Sequence, residues 1–301
     1  MRAFHQVDVF TDQPYLGNAL AVVMDGSGLS QAQMQQFARW TNLSETTFLL
    51  PATNPAADYQ VRIFTPGGEL PFAGHPTLGS CHAWLQAGGQ PQGQEVVQQC
   101  AVGLVRIRRD GPRLAFAAPP CQRSDIATGL KADIAQALGL QSTQVLAAQQ
   151  LDNGPLWYGL LLDGPQTVLQ LQPDHARLRE LGTKVGVAGI YPREGADTLI
   201  ARSNREARAS RSQGAAPLGQ ADLEVRGFAA PVGVQEDPVT GSLNASLAQW
   251  LMAEGRMPER YLASQGACMG RAGQVHLERD AGGQVWVGGQ SVLCISGQVL
   301  L

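Results

Sequence analysis

Three side chains that can carry a proton stand at the edges of apolar segments: Glu45, His75 and Asp237. Glu45 lies in NLSETTFLL (42–50), directly before an apolar run, so a strand entering the core would desolvate its carboxyl group and raise its pKa. His75 lies between a glycine and a proline in PFAGHPTLGS (71–80), and Asp237 precedes a proline in EDPVTGS. An imidazole and carboxyl groups in such positions can act as general acids and bases. The pattern therefore indicates proton-transfer chemistry.

Each of these residues also has a structural explanation. Periodicity alone would place Glu45 on the surface equally well. Aspartate is a common N-cap residue, so Asp237 could simply cap a helix, whereas capping explains His75 poorly because histidine is not a preferred N-cap. The remaining histidines show no partner spacing and are expected to be structural: His5, His82, His175 and His276.

The segments around His75 and Asp237 resemble each other. Residues 62–85, RIFTPGGELPFAGHPTLGSCHAWL, and residues 226–251, RGFAAPVGVQEDPVTGSLNASLAQWL, share an Arg-x-Phe start and a Trp-Leu end. The alignment matches His75-Pro76 with Asp237-Pro238 and Gly79-Ser80 with Gly241-Ser242. Residues 16–24 and 152–162 form a second pair of similar segments, with weaker similarity. Two long copies predict two related halves rather than a solenoid of many short repeats.

Each copy predicts a strand, a proline-containing turn and then a helix with Gly-Ser in its first turn. A helix N-terminus presents unpaired backbone N–H groups and a partial positive charge. If the two halves face each other, two such termini point into one cleft and form a site for a carboxylate or a phosphate. His75 and Asp237 would then face each other across that cleft.

The remaining segments are predicted to be mainly short strands and a few helices. Alternating polar and apolar residues predict strands in 4–10 and 59–65 and hairpins in 104–116 and 274–289. A capping box precedes the helical segment AQMQQFARW; it is formed by Ser30 and Gln33.

Two polar segments are predicted to be connectors. Residues 118–129 combine prolines with polar residues. Residues 202–219 carry four arginines at intervals of three, without interleaved aromatic residues, so we expect a solvated loop rather than an anion-binding patch.

The composition excludes several classes of protein. The chain has 301 residues, 44% hydrophobic and 16% charged, with a formal net charge of −3, which favours neither a nucleic acid nor an anionic membrane as partner. No window reaches the ~20 apolar residues of a membrane span, and His5 and Asp8 interrupt the N-terminal apolar run that a signal peptide needs. We therefore expect a cytoplasmic protein. The five cysteines are scattered without a C-x-x-C pair, so neither a metal site nor a redox pair is predicted.

Five segments together resemble the PhzF-like phenazine-biosynthesis isomerase family. They are VDVFTDQPYLGNALAVV, NLSETTFLL, RIFTPGGELPFAGHPTLG, EDPVTGS and QGACMGRAGQVHL, in the family's order. The resemblance implies an α+β fold like that of diaminopimelate epimerase. In that fold two pseudo-twofold-related halves each consist of a barrel-like, mostly antiparallel sheet around a central helix.

The resemblance also implies how the chain divides. The central helices would start near Thr77 and Thr240. We expect residues 1–118 to form the N-terminal half, with the final strand, about residues 291–301, returning to it. Residues 119–290 would form the C-terminal half, and the active site would lie in the cleft between the halves.

The family's functional positions can be carried over to this chain. Its catalytic residues fall on Glu45, which carries the proton, and on His75 and Asp237. Its substrate-binding positions fall on Gly74, Gly241, Ser242 and Asn18. The resemblance implies a cofactor-independent isomerase, like the family's trans-2,3-dihydro-3-hydroxyanthranilate isomerase, acting on a small carboxylate-bearing substrate and forming a homodimer.

Three other functions stay open at this stage. An amino-acid epimerase or racemase of the same fold would use a thiol pair at the helix starts, where this chain has His75 and Asp237, with Cys81 further along. A non-catalytic protein that binds a small anion would keep the cleft. A metal hydrolase would need clustered histidine and carboxylate ligands, and none are suitably spaced.

Overall fold

The computed structural model describes residues 1–192 and 221–301. Within these ranges the chain forms eighteen strands and six helices. The strands are β1 Arg2–Val9, β2 Asn18–Val23, β3 Glu45–Leu50, β4 Tyr59–Phe64, β5 Glu69–Leu70, β6 Val96–Cys100, β7 Gly103–Asp110, β8 Arg113–Ala117, β9 Gln122–Ser124, β10 Val145–Asp152, β11 Leu156–Leu162, β12 Val185–Ile190, β13 Leu223–Ala229, β14 Val234–Asp237, β15 Arg260–Gln265, β16 Gly273–Arg279, β17 Val285–Gly289 and β18 Ser291–Val299. The helices are α1 Gln31–Thr41, α2 Gly74–Gln86, α3 Thr128–Ala137, α4 Pro165–Gln170, α5 His175–Glu180 and α6 Gly241–Ala253.

Eight strands surround helix α2. Their order, read from one hydrogen-bonded neighbour to the next, is β18-β1-β2-β3-β4-β6-β7-β8. Neighbours are antiparallel except for the β2–β3 and β4–β6 pairs, which are parallel. Helix α2 packs against β1, β2, β3 and β8, and nine of its thirteen residues are buried. A helix buried on nearly every side explains why its sequence shows no polar face.

A second set of eight strands surrounds helix α6 in the same way. Its order is β9-β10-β11-β12-β13-β15-β16-β17, with parallel steps at β11–β12 and β13–β15. Helix α6 packs against β10, β16 and β17, and ten of its thirteen residues are buried. The parallel steps fall at matching places in the two sets. The predicted α+β architecture of two repeated halves is therefore confirmed.

The two sets are connected by a pair of strands and by the return of the final strand to the first set. β8 pairs with β17 and joins the sheets, while β18 pairs with β1 over its whole length. The last described strand therefore lies beside the first. One apolar cluster includes side chains from both central helices, among them Leu78 and Leu243, so the two halves share a core.

The start of helix α2 corrects the sequence alignment. The helix begins at Gly74 rather than near Thr77, and Pro76 occupies its third position. Proline is tolerated there because the first turn needs no backbone N–H donor. Gly79 and Ser80 consequently lie in the second turn.

The counterparts at the two helix starts therefore differ from the predicted ones. Gly74 and His75 open α2 as Gly241 and Ser242 open α6, whereas Asp237 precedes its helix by four residues. Both helices have thirteen residues. The expectation of a Gly-Ser first turn in both copies was wrong.

Several local predictions are confirmed. The side chains of Ser30 and Gln33 form the expected capping box at the start of α1. The predicted hairpins are β7–β8 and β16–β17. Connector 118–129 contains the short strand β9 and the beginning of α3, while 202–219 lies outside the described residues. None of the described helices has the length and hydropathy needed to cross a membrane.

Candidate active site

Glu45 is the first residue of β3 and lies at the edge of the N-terminal core. The next four residues of the strand are buried, and the Glu45 side chain is 15% exposed. Strand β3 runs parallel to β2, with Glu45 opposite Leu20. Its carboxyl group is thus held at the end of a buried strand, as the sequence predicted.

His75 is the second residue of α2, and its side chain is only 5% exposed. Its Nε2 lies 3.3 Å from Oε2 of Glu45. The two atoms are close without being aligned, because neither has a hydrogen-bond partner among the described residues.

Asn18 joins the two halves at this point. Its Nδ2 donates to Oδ1 of Asp237 at 2.9 Å and to the backbone carbonyl of Val239 at 3.0 Å. Its Oδ1 accepts from the hydroxyl of Ser44 at 3.3 Å. Two acceptors on one side and a donor on the other fix the orientation of the amide.

The same amide determines which nitrogen of His75 carries the proton. Nδ1 of His75 lies 3.4 Å from Nδ2 of Asn18, which is a donor. A proton on Nδ1 would therefore face another donor. We infer that neutral His75 is protonated on Nε2, the nitrogen that faces Glu45.

Asp237 comes from β14 in the second half and receives two hydrogen bonds. Oδ1 accepts from Asn18, and Oδ2 accepts from the hydroxyl of Thr240 at 2.7 Å. Both bonds favour the ionised carboxylate, because they come from donors.

The starts of helices α2 and α6 lie directly against each other. A Cβ atom added to Gly241 would come within 3.1 Å of Cα of Gly74 and 3.2 Å of the backbone nitrogen of His75. One added to Gly74 would meet the ring of Phe116 at 2.8 Å. Neither N-cap residue, Ala73 or Thr240, caps its helix by a side-chain hydrogen bond. The first-turn N–H groups of both helices are therefore available to an anion.

Ser242 extends this site into the second half. Its Oγ accepts from Nε1 of Trp157 at 3.2 Å, which leaves its own hydrogen free to be donated to a substrate. Nδ2 of Asn153 donates to its backbone carbonyl at 2.9 Å. The hairpin between β10 and β11 thus positions Ser242.

The two carboxyl groups have different pKa values because their surroundings differ. Burial, and then the charge of Asp237, raise the pKa of Glu45 to about 8, against a lowering hydrogen bond from Ser44. Burial raises the pKa of Asp237 to about 6, against hydrogen bonds from Thr240 and Asn18. Burial lowers the pKa of His75 to about 3. Near pH 7, Glu45 and His75 are therefore mostly neutral despite their ion-pair distance, and Asp237 is mostly ionised.

The structure brings the seven sequence-derived residues into one region, with contacts as described above. It adds residues that the sequence analysis missed, namely Ser44, Thr240, Gln265, Asn153 and Trp157. Three of them carried a signal, because Ser44, Thr240 and Gln265 each lie within a family-like motif.

Thiol and metal chemistry find less support in this region. Cys81 is buried inside α2, and burial raises its pKa to about 12. The helix starts hold His75 and Ser242 instead of thiols. Among residues 1–192 and 221–301, no three histidine, cysteine, aspartate or glutamate side chains cluster as metal ligands would.

Several relatives of this chain carry isomerase names. Residues 7–297 match the PhzC-PhzF family, described as phenazine biosynthesis-like protein. An uncharacterized isomerase of Pseudomonas aeruginosa is 33% identical over 304 residues, covering 98% of each chain. Antisense-enhancing sequence 1 of Schizosaccharomyces pombe is 33% identical over 311 residues, also covering 98% of each.

Solved structures share the fold. A PhzF-family phenazine biosynthesis protein of Bacillus anthracis superposes with a TM-score of 0.80 at 20% identity, covering 100% of this chain and 99% of that one. A hydroxyproline epimerase of Agrobacterium vitis gives a TM-score of 0.56 at 16% identity, covering 99% and 94%. The fold is thus the diaminopimelate epimerase-like fold. By the match over nearly its whole length, this chain belongs to the PhzC-PhzF family of phenazine biosynthesis-like proteins.

Proposed function

We propose that this protein is a cofactor-independent isomerase that moves a proton between two carbons of a small carboxylate-bearing substrate. The trans-2,3-dihydro-3-hydroxyanthranilate isomerase is the family example of such chemistry. One observation carries the proposal. Glu45, with a pKa near neutrality, lies beside His75 at the point where the starts of two helices meet.

The helix starts are the proposed binding site for the substrate carboxylate. N–H groups of Gly74 and Gly241, and the hydroxyl of Ser242, would donate to its oxygens. Backbone donors and helix dipoles favour negative charge here without a compensating cation. The Agrobacterium vitis epimerase was solved with trans-4-hydroxy-L-proline, itself a small carboxylate.

Glu45 is the proposed proton carrier. Its ionised carboxylate removes a proton from one substrate carbon, and the electron pair of that C–H bond shifts into the adjacent unsaturated system. The carboxylic acid so formed then returns the proton to a second carbon. His75, neutral and protonated on Nε2, would donate to a substrate oxygen or nitrogen, and Asp237 would orient a substrate donor.

An amino-acid epimerase is the main alternative. It needs two bases on opposite faces of one carbon, and Asp237 is the group in the second half that could face Glu45. The buried thiol of Cys81 is a poor candidate because its raised pKa keeps it protonated. The two functions differ in product, since an epimerase inverts one carbon whereas the proposed isomerase moves hydrogen to another.

The proposal is tested with the variant Glu45→Gln in deuterated water. Glutamine keeps the shape of the side chain but cannot exchange a proton, so turnover of a dihydroanthranilate-like substrate should fall by about 10² to 10⁴-fold. The Tm should equal or exceed that of the wild type, because the variant removes a desolvated carboxyl group. Nuclear magnetic resonance follows the product and the carbon that acquires deuterium.

Glu180→Gln, the same change on the exposed helix α5, is the control and should leave turnover unchanged. Deuterium at the original carbon with inversion would favour the epimerase. If the wild-type protein binds the substrate but exchanges none of its hydrogen for deuterium, the result would favour a non-catalytic anion-binding protein. Wild-type turnover in folded Glu45→Gln would contradict the assigned role.

A further inference from the structure

A buried glutamine holds the turn that carries Asp237. Gln265 is the last residue of β15 and is 1% exposed. Its Oε1 accepts from the backbone N–H of Thr240 at 3.0 Å and from Nδ2 of Asn244 at 2.8 Å. Its Nε2 donates to the backbone carbonyl of Asp237 at 3.0 Å and to Oγ1 of Thr240 at 2.9 Å. Every hydrogen of the amide is therefore used.

These contacts leave one arrangement of protons. The atom of Gln265 that faces the N–H of Thr240 must be the oxygen, so the other atom is the amino group. Thr240 Oγ1 accepts from that amino group and has a single hydrogen of its own. That hydrogen points to Oδ2 of Asp237, 2.7 Å away.

We propose that Gln265 is a positioning residue that, through Thr240, keeps Asp237 in its ionised form. By donating to Thr240, Gln265 directs the threonine hydrogen toward the carboxylate. Protonation of Asp237 at Oδ2 would place two hydrogens between the same two oxygens and break that bond. The importance of this for turnover rests on the proposed function, but the effect on Asp237 does not.

Three other titratable groups lie near Asp237, and none of them donates a hydrogen bond to its carboxylate among the described contacts. Glu45 reaches the site from β3 and His75 from α2, and both are mostly neutral near pH 7. The charge of Glu236, its neighbour in β14, raises the pKa of Asp237 although Glu236 is paired with Arg226 at 2.8 Å. The charge of Asp237 in turn raises the pKa of Glu45. Gln265 would thus help to keep a proton on Glu45 in the resting enzyme.

The N-terminal half contains a matched glutamine without a carboxyl group. Gln98 in β6 is fully buried, and its Nε2 donates to Oγ1 of Thr77 at 3.1 Å. Thr77 then donates to the backbone carbonyl of Ala73 at 2.9 Å. Replacing Gln98 therefore disturbs a helix start in the same manner without altering the bonds of Asp237.

The test is the titration of the Asp237 carboxyl group, followed by ¹³C nuclear magnetic resonance of aspartate-labelled protein and assigned with Asp237→Asn. In Gln265→Met and in Thr240→Val we expect its pKa to rise by about one pH unit or more, as for a lost hydrogen bond to a charged group. Gln98→Met should lower the Tm comparably and leave the titration unchanged. In the double variant Gln265→Met/Thr240→Val, the pKa of Asp237 should rise no further than it does in Thr240→Val alone.

An unchanged titration in Gln265→Met would overturn the proposal, as would an equal shift in Gln98→Met or full additivity in the double variant. If Gln265→Met does not fold, Gln265→Asn serves instead. It keeps a neutral amide but is one methylene too short to donate to Thr240, so it should also raise the pKa of Asp237, and no shift would again overturn the proposal. Because no substrate is needed, the outcome is independent of whether the isomerase proposal holds.

Discussion

Glu45 and Asp237 are two carboxyl groups in one buried site, and what separates them is the number of donors around each. Asp237 accepts from Asn18 and Thr240, which offset part of the cost of burying its charge. Oε2 of Glu45 has no such partner among the described residues, although it lies near His75. Burial therefore raises the pKa of Glu45 more strongly than that of Asp237, and the negative charge of Asp237 raises the pKa of Glu45 further. A group with a pKa near 8 can both take up and release a proton near neutral pH.

The difference between the pKa values of Glu45 and Asp237 predicts the pH dependence of the reaction. If ionised Glu45 begins the reaction, kcat/KM should rise about tenfold per pH unit below pH 8 and level off above it, because the ionised fraction of a group with pKa about 8 does so. Below about pH 6 the slope should steepen as Asp237 also becomes protonated. The measurement is kcat/KM from pH 5 to 10, with Asp237→Asn as the control that removes the steeper part. A rate that falls through pH 8 would show instead that protonated Glu45 begins the reaction.

The central helices meet at Gly74 and Gly241, and this contact sets how closely the halves approach. Side chains at these positions would occupy the space of the opposing backbone or of Phe116. Glycine is required here for close approach, since neither residue has a positive φ.

Gly74→Ala and Gly241→Ala should therefore each destabilise the protein by about 1–3 kcal/mol, the usual cost of overpacking. They should also weaken binding of a substrate carboxylate by separating the two helix starts. The measurements are urea unfolding and the rise in Tm with added substrate. Gly129→Ala in α3, where an added Cβ meets nothing within 4 Å, is the control and should leave stability unchanged or slightly higher. Unaltered stability in both central variants would contradict the close contact.

The whole molecule is held together by strands that cross between its halves. β18 pairs with all eight residues of β1, and β8 continues the first sheet into the second through β17. The division at residues 118 and 290 stays a prediction. The return of the final strand nevertheless means that residues 1–118 cannot complete the first sheet alone, whereas every strand of the second set lies within residues 119–290.

Removing residues 291–301 should therefore abolish cooperative unfolding or yield insoluble protein, because β1 would become an uncovered edge. The check is circular dichroism and size-exclusion chromatography of the truncated chain. Leu300→Ala, at an exposed residue that follows β18, is the control and should cost little. A truncated protein with wild-type melting behaviour would show that the final strand is dispensable.

The sequence by itself determined most of the local elements and, through family resemblance, pointed to the candidate site residues. The capping box at Ser30, the hairpins and the two small-residue helices depend on residues within a turn or two of each other, so periodicity and local hydrogen bonding predict them. The internal repeat predicted two halves, because segments with similar sequences form similar structural units.

Only the tertiary structure decided how these elements combine. Asn18 and Asp237 are 219 positions apart, and nothing local to either indicates the bond between them. Gln265 begins the family-like segment QGACMGRAGQVHL, but its contacts appear only when β15 is placed beside the turn before α6. The start of α2 at Gly74 was missed because a proline usually marks a helix boundary, and only its packing shows that Pro76 lies inside the first turn. Local patterns depend on short-range energies, whereas the pKa values of Glu45 and Asp237 depend on burial and distant partners that the fold alone brings together.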